Sequence, residues 1–314
     1  MKLKKIKKLI FGLSQLNKDL YKDKSKLTSS KIKLIIEDAI DKGINCFDTA
    51  TNYGNTQEII GKLEKSKKNK IAFFSKGGFV DSKKKRDFSK KYLKKILDFS
   101  LKKMKIETLD VFFLNKPTSN DIEKNDLLDF FYKEMKSGNI LKGGIIVGQN
   151  YFEDEFFLNS NFEYYSILFN LINTSGNILI KRLKKNKKKI ITRSPFNSGV
   201  LSRDFLIKGE FKKNDYRKKE MFGVDLQNKK KKINYIIKKY KLDHNFLSEI
   251  SLSFLLSNGD IDHIIYGPSK LNHSKKVLDT SKYFNNYLKK ETSKKIILLS
   301  NKLDKKFTTN KQFV

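Results

Sequence analysis

The sequence predicts an α/β fold of the (β/α)8, or TIM, barrel type, with a polar insertion after the seventh strand and an extra C-terminal helix. Three observations carry this. Short β-rich runs alternate with amphipathic stretches along the chain, the pattern of a parallel sheet with crossover helices. The runs number eight, which closes a barrel. A length of 314 residues, 38% hydrophobic and 12% aromatic, suffices for one large core. No fixed-period repeat and no linker rich in Gly, Ser or Pro divides the chain, so residues 1–314 read as a single barrel domain.

The first strand is expected at Lys8–Gly12, behind a basic N-terminus whose apolar run is too short for a signal peptide. A helix follows over Ser29–Lys42, where Ile32, Leu34, Ile35, Ala39 and Ile40 recur at helical spacing and Gly43 caps the end. Strand two, Asn45–Phe47, runs through Asp48 into a Gly/Asn-rich turn and a helix over Thr56–Leu63. Strand three, Ile71–Ser75, stops at Lys76, and a helix spans Asp87–Met104. Strand four, Leu109–Leu114, has Asn115 at its tip, with Pro117 turning the chain into a helix over Asp121–Lys136. Strands five, six and seven are expected at Gly144–Val147, Tyr165–Phe169 and Lys189–Arg193. Residues 202–228 are polar and turn-like, and form the insertion. A helix over Phe246–Ser257 precedes strand eight, His263–Tyr266, and the tail from Tyr283 to Leu303 supplies the added helix.

The formal net charge of +34 invites a nucleic-acid partner, but its texture argues against one. The cations are almost all lysine and are spread from end to end, whereas arginine, which reads phosphates and bases bidentately, is scarce. Nonspecific attraction to polyanions at low salt is expected, and no specific nucleic acid. Cys46 is the only cysteine, so no intrachain disulfide forms and a reducing, cytoplasmic location is expected. Its place inside an apolar strand reads as a buried small hydrophobe. The three histidines are scattered without metal-ligand spacing, so no metal is expected. No stretch is long and apolar enough to span a bilayer.

Chemistry concentrates at the strand tips, which a barrel gathers on one face. Asp48 ends strand two, Tyr53 follows five residues later, and Lys76 ends strand three. A carboxylate, an ammonium and a phenol brought together form a proton-donating unit. The ammonium is expected to stabilise the phenolate and lower the phenol's pKa, while the carboxylate keeps the lysine charged and oriented.

The run Gly43-Ile-Asn-Cys-Phe-Asp-Thr-Ala-Thr-Asn-Tyr-Gly54, followed by Lys76 at the next strand end, resembles the aldo-keto reductase signature, and the resemblance covers nearly the whole chain. It implies an NADP-dependent oxidoreductase that reduces the carbonyl of a small aldehyde or ketone, with Tyr53 as proton donor assisted by Lys76 and Asp48. Asn115 stands where the family carries a histidine; an amide there can hydrogen-bond a carbonyl but cannot relay a proton. That asparagine is similar to the reductase-like potassium-channel beta subunits, which implies slow turnover. Ser166 falls on the family's amide-binding glutamine and Ile146 on its serine. Arg193 replaces a nicotinamide-stacking tyrosine and can stack through its planar guanidinium. The run Ser194-Pro195-Phe196-Asn-Ser-Gly199-Val-Leu201 is similar to the loop that wraps the cofactor's pyrophosphate. Gly267, Ser269, Lys270 and His273 are similar to the stretch that grips the adenosine 2′-phosphate. No G-x-G-x-x-G run occurs, which argues against a Rossmann domain.

The wording of Asp48–Gly61 and Ile191–Leu201 is similar to reductases of bacterial surface-polysaccharide and sugar-nucleotide gene clusters. A second function stays open beside the reductase: a nucleotide-binding or partner-binding protein on a reductase scaffold with little turnover, favoured by Asn115, Ile146 and Ser166.

Overall fold

The computed structural model describes residues 3–17, 27–80, 85–148, 155–211, 217, 225–268 and 271–307. Its strands are β1 (Leu9–Gly12), β2 (Cys46–Asp48), β3 (Ala72–Gly77), β4 (Leu109–Asn115), β5 (Ile140–Ile146), β6 (Tyr164–Leu168), β7 (Lys189–Arg193) and β8 (His263–Tyr266). They pair in parallel in chain order, and β8 returns to β1 to close the barrel. The fold class expected from the sequence is the one observed.

Strand alternation builds two apolar layers. Ile10, Cys46, Ala72, Phe74, Val111 and Phe113 point into the barrel. Their neighbours Phe11, Phe47, Phe73 and Phe112 point outward to the helices. Cys46 is fully buried, and that burial pushes its thiol well above the ordinary value, as suits an inert core residue. At the N-terminal end of the barrel, Leu3 and Ile6 pack on the inner layer, and the Lys4 ammonium donates to the Ile71 carbonyl at 2.6 Å. That end is closed, so the strand C-termini form the open mouth.

The helix Ser29–Asp41 ends as expected. Gly43, at φ +88°, lets its own N–H and that of Ile44 reach the carbonyls of Ile40 and Ala39. Two expectations need correction. The stretch Asp121–Lys136 is two helices, Ser119–Lys124 and Leu127–Lys136, because Thr118 and Asp121 make a capping box and Asp126 adopts φ +47° between them. β5 begins at Ile140, ahead of Gly144. Its Gly143–Gly144 pair resembles a break but serves packing: a Cβ on Gly144 would stand 2.4 Å from the Phe113 ring. The glycine lets Phe113 fill the barrel one layer below Asn115.

The insertion after β7 contains a short helix, Arg203–Lys208, and a longer one, Asp225–Tyr240; no strand lies between β7 and β8 among the described residues. The extra C-terminal helix is Lys290–Phe307, and it packs against Asp225–Tyr240. No helix among the described residues is long and apolar enough to cross a membrane.

Candidate active site

The turn that carries Tyr53 is held at several points. Thr49 N–H donates to the Phe74 carbonyl, extending the β2–β3 ladder past Asp48. Thr49 and Thr56 share a buried hydroxyl hydrogen bond of 3.2 Å across the turn. Gly54 takes φ +61°, and Asn17 donates to the Asn52 carbonyl at 3.0 Å. Behind it, Gln57 reaches the hydroxyls of Ser75 and Ser100 at 3.3 and 3.0 Å, tying the following helix to β3. The polar residues around Tyr53 thus each have a mechanical task, and together they fix the phenol relative to the strand tips.

Lys76 Nζ donates to both oxygens of Asp48, at 2.7 and 2.8 Å, and to Tyr53 Oη at 3.3 Å. Both members of the ion pair are buried, with side chains 8% and 9% exposed. Burial alone would pull the lysine down, but the charge of Asp48, the neighbouring phenol and the hydrogen bonds to both outweigh it, and the ammonium sits above its ordinary value. The phenol departs from the sequence expectation. Desolvation raises Tyr53 more than Lys76 and Arg193 lower it, so it sits above rather than below its usual value. Tyr53 is therefore a fully protonated donor at neutral pH.

These groups line one cavity of about 720 Å³ at the barrel mouth, within the range of small-molecule sites. Asn115 lines it at the tip of β4, its amide making no hydrogen bond to a described residue. Beside it stand Ile146 and Ser166, for Asn115 pairs in register with Ile146, and Ile146 with Ser166. Three of the departures from the resembled pattern are thus one contiguous strip across β4, β5 and β6. Arg193, at the tip of β7, donates from Nη2 to the Val147 carbonyl at 3.1 Å. Burial lowers its guanidinium to about 10, against the raising influence of Tyr53 and Asp48.

Of the residues expected to hold a cofactor, Ser194, Pro195, Phe196 and Gly199 line the cavity, as do Gly267 and His273 on the β8 side. Leu201 does not: it is fully buried in the outer core. Ser269 and Lys270 lie outside the described residues. The loop after β7 is unusually contorted, with φ of +59° at Ser194, +44° at Asn197 and +55° at Ser198. Such strain, about 1–3 kcal/mol per residue, gathers at functional sites. Asn170 and Arg217 hold the loop by donating to the carbonyls of Ser194 and Ser198.

The chemistry of this cavity fits a nicotinamide dinucleotide. Ser166 Oγ, Arg193 Nε and Asn197 Nδ2 are buried polar atoms without a protein partner, and such atoms ordinarily find one. A carboxamide and a pyrophosphate would supply them. A model of the aldo/keto reductase family matches residues 8–296.

The chain belongs to the aldo/keto reductase family.

Among individual proteins, the chain is similar to the uncharacterized oxidoreductase YqkF of Bacillus subtilis (strain 168), 25% identical over 250 residues that make up 77% of this chain and 79% of that one. Its fold is similar to the holo form of aldo-keto reductase AKR11C1 from Bacillus halodurans, with a TM-score of 0.74, 21% identity and 96% of each chain covered. It is also similar to the glycerol dehydrogenase AKR11B4 from Gluconobacter oxydans, with a TM-score of 0.72, 18% identity, and 98% of this chain and 95% of that one covered.

Sequence reading missed several residues that line the cavity. Ser14 and Gln15 enter the cavity from the 3-10 turn after β1, and Lys276 with its partner Glu249, 2.9 Å away, closes the far side. Arg217 arrives from the insertion. Only the strand-to-turn position of Ser14 and Gln15 offered a local signal; Glu249 and Lys276 reach the cavity from helices.

Proposed function

We propose that the protein is an NADPH-dependent reductase of an aldehyde or ketone, with Tyr53 as proton donor. The observation that carries this reading is the Asp48–Lys76–Tyr53 chain of hydrogen bonds on the wall of the cavity. NADPH, when bound, supplies the hydride that reduces the carbonyl carbon. Tyr53 Oη gives its proton to the carbonyl oxygen as that oxygen gains charge, leaving a phenolate. Lys76 holds the phenolate by charge and hydrogen bond, and Asp48 keeps Lys76 protonated and aimed. Asn115 directs an amide N–H at the same oxygen. Ser166 and Arg193 would hold the nicotinamide end, the Ser194–Gly199 loop the pyrophosphate, and Gly267 with His273 the adenosine end. The similarity of Asp48–Gly61 and Ile191–Leu201 to reductases of polysaccharide clusters is the basis for proposing a sugar-derived carbonyl. Titration with NADPH followed by fluorescence, then turnover on a panel of aldehydes and ketosugars, tests the reading. Tight cofactor binding with turnover of a panel member is expected, and absence of NADPH binding would end it.

Preference for NADPH over NADH should accompany it. A partly desolvated contact between Lys270 and the 2′-phosphate is worth about 1–3 kcal/mol. Lys270→Ala should weaken NADPH by that amount and leave NADH unchanged; equal dissociation constants for the two cofactors in the wild type would remove the assignment.

The contiguous strip of Asn115, Ile146 and Ser166 favours a second reading, a cofactor-binding protein with little turnover. Asn115→His discriminates. If a missing relay donor limits the chemistry, single-turnover hydride transfer with preloaded NADPH should quicken about tenfold, the worth of one charge-assisted hydrogen bond, with NADPH affinity unchanged. Hydride transfer undetectable in both proteins would leave the binding reading standing.

A further inference from the structure

Arg193 brings to the cavity a positive charge that no carboxylate among the described residues pairs with. We propose that Arg193 makes the site discriminate between the two oxidation states of its cofactor, holding NADPH and rejecting NADP+. The inference rests on the cofactor reading above and deepens it.

The placement comes first. Arg193 ends β7, in register with Leu168 of β6 and Ile265 of β8, whereas Asp48 and Lys76 end β2 and β3 on the other side of the mouth. Both groups face the same cavity. The Val147 carbonyl fixes the guanidinium through Nη2, while Nε is buried and unpartnered. Among the described residues no carboxylate makes an ion pair with it. Asp48 is within its field, but both Asp48 oxygens are taken by Lys76. Of the other carboxylates that line the cavity, Glu249 is taken by Lys276, and Asp204, on the helix after β7, makes no ion pair with Arg193. The Asp48–Lys76 pair is neutral as a unit, so among the described residues the guanidinium charge near Tyr53 is left without an ion-pair partner.

The chemistry follows from what must occupy the space between. A hydride donor has to touch the carbonyl carbon whose oxygen faces Tyr53 Oη, and Arg193 lines the same cavity as that phenol. The dihydronicotinamide ring is neutral, and a planar guanidinium stacks on it favourably. The oxidised ring carries a unit positive charge. The phosphates and adenosine are the same in both forms, so their contributions cancel in the ratio of dissociation constants. Two like charges at close range in a partly desolvated site change an affinity by about tenfold to a hundredfold.

Two consequences follow. The bound couple is shifted to a more positive potential, by about 30 mV for each tenfold in the ratio. The oxidised product also leaves quickly, which raises turnover in the reductive direction wherever release is the slow step.

The test is a pair of titrations, NADPH by fluorescence and NADP+ by calorimetry, on the wild type, Arg193→Lys and Arg193→Gln. The wild type should bind NADPH at least about tenfold more tightly than NADP+. Arg193→Lys, which keeps the charge, should preserve the ratio, and Arg193→Gln should bring it towards one. A wild-type ratio near one overturns the proposal without any variant, and so decides the matter even if the Gln variant does not fold. A high ratio that survives in Arg193→Gln overturns it too, since the discrimination then has another source. Absence of binding by either nucleotide to the wild type removes the cofactor reading itself, and this inference with it.

Discussion

Tyr53→Phe is expected to slow carbonyl reduction by about 10²–10⁴-fold, the usual worth of a positioned general acid, while NADPH binds as before. The substitution deletes one oxygen and leaves the ring, which the Lys76 ammonium faces at 4.9 Å from its centroid. The turn that carries it is held by backbone and by Asn17, Thr49 and Thr56, none of which touches the phenol oxygen, so the fold has no reason to shift. His273, which lines the cavity, stands on its β8 side, and Asn115 has no proton it can give at neutral pH. The raised phenol adds a companion expectation. Reduction needs the protonated form, and burial keeps the group above an ordinary value near 10. The wild-type rate of hydride transfer should therefore be flat from about pH 6 to 9 as far as this group is concerned. Full rate in Tyr53→Phe, or an alkaline fall centred within that range, would mean that another group donates the proton.

That expectation shows what the sequence made legible and what it did not. Asp48, Tyr53, Lys76 and Asn115 could be found because each is the last residue of an apolar run or a fixed step beyond one, and a parallel barrel brings such positions together. Local spacing was enough. The direction of the Tyr53 shift was not legible, because it is set by the competition between burial and Lys76, and burial belongs to the closed barrel. The start of β5 was missed because Gly143 and Gly144 break a hydrophobic pattern for a reason that lies in other strands and helices, the rings of Phe113 and Phe131. Leu201 was assigned to the cofactor with its neighbours, yet in that left-handed loop it turns into the core. Lys276 and Arg217 reach the cavity from segments with no strand signal, brought there by tertiary packing.

Lys76→Met should be the most costly single substitution at the site, for stability as well as for turnover. It removes the cation from a buried pair and leaves the Asp48 carboxylate enclosed without its partner. Breaking such a pair costs about 3–5 kcal/mol, visible as a lowered urea midpoint with an unchanged slope. The pH dependence of the intact pair has a definite sign. Lys76 is held above its ordinary value near 10.4, so its contribution is complete at lower pH and is lost only as pH climbs through the raised value. No loss from this group should appear below about pH 10. Turnover should fall separately, by about 10²–10³-fold, because the phenolate left after proton transfer loses the donor that stabilises it. The double variant Asp48→Asn, Lys76→Met separates the two effects. Removing both charges relieves the enclosed carboxylate, so most of the stability should return. Activity should not, because the phenolate still lacks an ammonium. Recovery of activity along with stability would make the pair a scaffold for the strand tips, and a cost below about 1 kcal/mol for Lys76→Met alone would mean that water reaches Asp48 and the pair behaves as an exposed one.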